Sequence, residues 1–166
     1  MEIVSGCVIK RNNKILMVKE AKKICYGKYN FPAGHVDENE LITDAAIREV
    51  YEETGCKVKL TGVLPISTIV LNSERTIVRI HFTAEILEEN IKFNQNEILD
   101  VQWIDIEDIK NMTEQELRGY DSAMQCIKDL EDEKIYPLEN FDNKKYIDKK
   151  NFCKKKKISI YGELLH

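Results

Sequence analysis

The 166-residue sequence has no apolar run near the roughly 18–20 residues that a membrane-spanning helix needs. Its start, Met1-Glu2-Ile3-Val4, shows neither a basic stretch nor a long apolar one, so no signal peptide is read. Five cysteines are present, Cys7, Cys25, Cys56, Cys126 and Cys153, and no two are spaced as C-x-x-C. That odd, scattered set argues against a zinc knuckle or a disulfide framework, and for reduced thiols in a cytoplasmic protein. There is no basic excess either. Asp and Glu number 29 against 25 Lys and Arg, a net charge of −4, which argues against a general nucleic-acid coat. Internal repeats and interdomain linkers are also missing.

What is present suits one folded domain. Hydrophobic residues make up 43% of the chain and charged residues 33%, enough to build an ordinary core. The charge is unevenly placed. Residues 37–53 hold seven acids and one base, while residues 134–166 hold nine lysines and four acids. The lysine run Lys154–Lys157 is read as a solvated terminal segment.

Residues 3–10 and 15–18 are rich in Ile and Val and flank Asn12-Asn13, a pattern that predicts a hairpin. Residues 19–28 read as loop. Residues 41–54 read as a helix stopped by Gly55. Ile47, Val50 and Tyr51 are expected on its core side. Strands are expected over 58–60, 63–71, 76–87 and 98–104, with a short helical turn over 105–110. A second long helix is expected over 113–133, with an apolar stripe of Leu117, Tyr120, Met124, Ile127 and Leu130. Gly119 in its interior would cost about 1 kcal/mol. This order of elements suggests an α+β protein, an α/β/α sandwich with a mixed sheet. The domain is taken as 1–140, with 141–166 as its basic C-terminal extension.

The chemistry concentrates in Glu49, Glu52 and Glu53. Their i, i+3, i+4 spacing puts three carboxylates on one helix face. They repel one another and sit near the helix C-terminus, where the macrodipole disfavours negative charge. Such a cluster calls for a compensating cation, or else is a solvated acidic face. Hard oxygen ligands without a Cys or His cluster select Mg²⁺ or Mn²⁺ over zinc. Arg48 can pair with a neighbouring carboxylate, and Gly34 supplies a tight loop where backbone can approach a ligand.

From Gly34 to Cys56 the sequence reads G-x5-E-x7-R-E-V-x-E-E-x-G-C, which resembles the Nudix box. Gly34, Glu40, Arg48, Glu49, Glu52, Glu53 and Gly55 all match, and Val50 fits the first bulky aliphatic position. Cys56 departs from the aliphatic residue expected last. The resemblance implies an α/β/α sandwich that hydrolyses a diphosphate linked to a nucleoside or a related group, using Mg²⁺ or Mn²⁺. By position it implies metal ligands at Glu52, Glu53 and the Ala33 carbonyl, with Glu49 a ligand or general base. Arg48 and Glu40 become orienting residues, and Gly34 and Gly55 structural ones. Glu97, ahead of the 98–104 strand, resembles a segment that can supply an extra carboxylate.

The substrate's organic group is not written in the box. Pro65 comes too early for the proline of ADP-ribose hydrolases, and Glu74 stands where dinucleoside polyphosphate hydrolases carry tyrosine. Residues 30–36 and 136–139 resemble small bacterial NudJ-type phosphatases, which act on nucleoside di- and triphosphates. Phe31 and His35 are candidate substrate contacts on that basis, and Tyr29 and His81 could line a base pocket. The expected partner is a small nucleotide or diphosphate, with no membrane and no nucleic acid, in a monomer or homodimer. The readings held as alternatives are an RNA 5′-end pyrophosphohydrolase using the basic tail and a non-catalytic nucleotide sensor.

Overall fold

The two apolar stretches at the start of the chain form strands, but not one hairpin. A computed structural model describes residues 1–148. In it β1 (Glu2–Val8) pairs in parallel with β8 (Thr76–Glu88) and antiparallel with β5 (Ala33–His35). After Ile9 the chain passes into a second sheet. There β3 (Lys14–Glu20) pairs antiparallel with β2 (Lys10–Arg11), β4 (Tyr29–Asn30) and β9 (Ile98–Asp105). The hairpin shrinks to β2–β3, turned at Asn12-Asn13 with Asn12 at φ 55°. The reason is that β1 and β3 are apolar on both faces. Cys7 and Leu16 enter one core while Val8, Ile15 and Met17 enter another, so each strand needs cover on both sides.

The first core lies under α1 (Ile42–Thr54), where Ala46 and Val50 meet Val58, Leu60, Ile80 and Phe82. The second lies under α2 (Ile106–Lys110) and α3 (Tyr120–Glu131), where Ile106, Ile109, Ala123 and Ile127 meet Ile15, Met17 and Phe31. Helices therefore cover both sides of a mixed sheet layer, the expected α+β sandwich.

Three local expectations change. The 63–71 run splits into β6 (Lys57–Val63) and β7 (Ser67–Val70), both antiparallel to β8. Pro65 lies in the break, where a residue without an N–H interrupts pairing. The second long helix starts at Tyr120, because Gly119 takes a left-handed conformation (φ 60°) as its N-cap. Leu117 is still buried, but in a turn that pairs with Tyr29. On α1, Ile47 and Tyr51 are exposed at 37% and 54%. The helix is rolled so that Glu49 and Glu53 pack toward β5 while Glu52 and those two residues face solvent. Residues 19–28 also hold more structure than a loop, since Lys19 and Glu20 continue β3 and 23–25 make a helical turn.

Beyond α3 the chain returns over the first core. Tyr136 pairs with Val63, and Phe141 meets Phe82 edge to face with ring centroids 5.3 Å apart. No helix among the described residues is long and apolar enough to cross a membrane. The Lys154–Lys157 run lies outside the described residues.

Candidate active site

The box helix is held against β5 by its own acids. Glu53 is 6% exposed, and its Oε2 accepts a hydrogen bond from the Ala33 N–H at 3.1 Å. Glu49 lies against Gly34 so closely that a Cβ there would fall 2.2–2.4 Å from the Glu49 carboxyl atoms. The glycine is thus required by contact, since only a bare Cα leaves room for that carboxylate. At the far end Gly55, at φ 79°, donates its N–H to the Tyr51 carbonyl and closes the helix.

Arg48 ties the cluster together. Its Nε and Nη2 bind the two oxygens of Glu40 at 2.7 and 2.9 Å. Nη1 reaches Glu49 at 2.7 Å and Glu52 at 3.2 Å, and Nη2 also donates to the His35 carbonyl at 3.0 Å. Glu40 in turn accepts from the Asp37 N–H. The orienting pair and the box strand therefore form one bidentate, charge-assisted unit.

Electrostatics separates the acids. The Arg48 hydrogen bonds hold the Glu40 carboxyl below its ordinary proton affinity. Burial pushes Glu49 up, with Arg48 pulling the other way. Glu53 is raised well above the carboxylate range by burial, then by the charges of Glu20 and Glu49. Among the described residues no three His, Cys, Asp or Glu side chains converge as metal ligands do, and Arg48 engages Glu49 and Glu52 as ion pairs. The donor set nonetheless suits a hard divalent cation. It offers the oxygens of Glu49, Glu52 and Glu53 and the Ala33 carbonyl, around a carboxyl at Glu53 whose proton affinity burial, and then the charges of Glu20 and Glu49, raise.

The structure adds a residue that sequence reasoning missed. Glu20 is 1% exposed at the end of β3. Its Oε1 accepts from Asn30 Nδ2 at 3.1 Å and from Arg118 Nη1 at 2.7 Å, while its Oε2 has no hydrogen-bond partner among the described residues. The signal lay in the strand's period of two, which puts Glu20 in the row of Leu16 and Val18, facing inward.

Beside the cradle lies a cavity of about 790 Å³. Ala33, Gly34 and His35 line it together with Asn30, Arg79 and Arg118. His35 is exposed, with Nε2 2.7 Å from Glu2, and stands on this wall. Phe31 does not line it. It is 1% exposed in the second core and meets His81 edge to face at 5.4 Å. Burial, and then Arg79, depress the pKa of His81 to about 3, so the ring is neutral. Glu97 is exposed, with no side-chain hydrogen bond or ion pair among the described residues. Its carbonyl accepts from the Ala21 N–H, beside Lys22, whose charge acts on Glu49 and Glu53.

Comparison with known proteins agrees with this fold. The NUDIX domain model matches residues 2–123. The chain is 34% identical over 107 residues to 8-oxo-dGDP phosphatase NUDT18 of Danio rerio, covering 62% of this chain and 31% of that protein. It is 29% identical over 112 residues to Phosphatase NudJ of Escherichia coli O1:K1 / APEC, covering 64% and 70%. The fold matches a NUDIX hydrolase from Nitrosomonas europaea with a TM-score of 0.77 and 28% identity, over 89% of this chain and 98% of that one. The chain spans about a third of the length of several curated relatives that it matches. With the family model covering most of the chain, this protein belongs to the Nudix family.

Proposed function

We propose that the protein is a divalent-metal-dependent hydrolase of a phosphoanhydride bond in a nucleoside di- or triphosphate or a related small organic diphosphate. One observation carries this reading. Two carboxylates, the buried Glu53 and the half-buried Glu49, are set against the backbone of Ala33 and Gly34 at the edge of a cavity with basic walls. The likeness to two proteins named as phosphatases, one of them for 8-oxo-dGDP, supports a nucleotide substrate.

Glu49, Glu52, Glu53 and the Ala33 carbonyl would hold Mg²⁺ or Mn²⁺. When bound, the metal neutralises phosphate charge and activates a water molecule. The chain's own residues do the rest. Arg48 fixes the Glu49 carboxylate through Glu40 and the His35 carbonyl. Glu49 or Glu53, whose raised proton affinities suit a base, accepts the proton of the attacking water. Glu97 is the further candidate for that role, on the turn whose carbonyl binds the Ala21 N–H next to Lys22. His35 and Lys22 line the cavity and would meet phosphate oxygens there. The working unit is residues 1–140, with 141–166 as an extension of it, acting in the cytoplasm as a monomer or homodimer.

The test is a panel of nucleotides and small diphosphates with Mg²⁺, scoring phosphate and pyrophosphate release separately, for the wild type and Glu53→Gln. Turnover of the variant should fall by at least about 10²-fold, as for loss of an acid–base or metal-binding group. Equal turnover across the panel would sink the assignment.

A further inference from the structure

Four of the chain's five arginines face carboxylates: Arg11 meets Glu89, Arg48 meets Glu40, Glu49 and Glu52, Arg75 meets Glu2, and Arg118 meets Glu20. Arg79 does not. Among the described residues no Asp or Glu forms an ion pair with it. Its guanidinium is half-buried, and its hydrogen bond runs from Nη1 to the Ser122 hydroxyl at 2.5 Å. Burial lowers its hold on the proton, and neighbouring Arg118 lowers it further. A desolvated cation without a counter-charge is costly, and its remaining N–H groups need acceptors.

The sheet register shows where those acceptors would come from. Arg79 on β8 and His35 on β5 both stand opposite Val4 of β1, so the three form one row across the sheet. Two strand spacings separate Arg79 from His35, about 10 Å. Directly opposed residues share a face, and this row lines the cavity. The next row, Ser5 and Gly34, faces the other way, toward α1, with Ser5 Oγ donating to the Ile42 carbonyl. A diphosphate at the box edge therefore leaves the organic moiety reaching toward Arg79. The same cavity is lined by the apolar Ile69, Ile77, Leu117 and Tyr120, with Asn30 and Arg118 as further polar groups. An unpaired charged fork beside apolar side chains suits a compact organic group that carries two adjacent acceptor atoms.

We propose that Arg79 is the specificity-determining residue of this cavity, its free guanidinium edge receiving a paired acceptor on the organic part of the substrate. The pair is either the carbonyl and ring-nitrogen edge of a purine or two oxygens of a second phosphate or carboxylate. This inference rests on the proposed hydrolase reading and extends it from the scissile group to the leaving moiety.

Three diphosphates separate the sources: guanosine diphosphate, a ribose diphosphate carrying a second phosphate, and a short alkyl diphosphate with no further acceptor. For the wild type, kcat/KM should favour one of the first two over the alkyl compound. In Arg79→Met that preference should shrink by about 5- to 150-fold, the value of one bidentate pair, and the loss should fall in KM. Arg79→Lys keeps the charge without the fork. It should leave a purine preference lost and a phosphate preference partly restored. An unchanged preference in Arg79→Met, or a wild type indifferent to the acceptor, would overturn the inference. If the wild type hydrolyses none of the three, the hydrolase reading fails instead. Equilibrium binding of the same compounds to metal-free wild type and Arg79→Met then decides. Weaker binding to the variant supports the role of Arg79, and equal affinity or no binding to either overturns it.

Discussion

Arg48 is the residue on which the cradle turns. It binds four groups, the carboxylates of Glu40, Glu49 and Glu52 and the carbonyl of His35, and so converts a repelling acidic face into an ordered one. Gly34 completes the arrangement from the strand side. In Gly34→Ala the added methyl meets the Glu49 carboxyl at less than van der Waals distance, and the carboxyl must swing away. Because that group ends a flexible side chain, the fold should tolerate the change while the chemistry does not. Turnover should drop by at least about tenfold, the scale of a misplaced catalytic group, with a melting temperature within a few degrees of the wild type. Kinetics beside a thermal melt checks this, and unchanged turnover would show that Glu49 is not held where the reaction needs it.

At the scale of elements, the box helix was legible because its spacing and its terminal glycine are local signals. The roll of α1 was not, since Ile47 and Tyr51 look like core residues until the packing of Glu49 and Glu53 against β5 turns them outward. The late start of α3 was obscured for a similar reason. Leu117 keeps the apolar stripe going, yet it is buried from a turn, and the left-handed Gly119 breaks the helix between them. The cavity walls were least legible of all. Asn30, Arg79 and Arg118, and the Glu20 that holds two of them from behind, come from four segments that only the fold brings together. The Glu20–Arg118 contact fastens the segment before α3 to β3. Arg118→Ala leaves a buried carboxylate with Asn30 alone, which should cost about 1–3 kcal/mol. For a chain of this size that lowers the melting temperature by several degrees. Glu20→Gln with Arg118 intact should cost less, because no buried charge is stranded. Equal melting temperatures for wild type and Arg118→Ala would mean that the contact does not hold the segment.

Across the whole molecule, the −4 net charge averages two opposed regions. The acids of residues 37–53 gather on and around α1, and the facing cavity carries Lys22, Arg79 and Arg118. An enzyme that neutralises phosphate from both sides needs this division, with a cation on the acidic side and fixed bases on the other. The central claim is that the acidic side works only when it holds a divalent cation. The most direct measurement is hydrolysis of a nucleoside diphosphate by the wild-type protein, first stripped with a chelator and then titrated with Mg²⁺. The account predicts that turnover is lost on stripping and returns saturably with Mg²⁺, the protein's melting temperature rising in step. Hydrolysis that persists undiminished in the chelator, or a titration that restores none of it, would contradict the account.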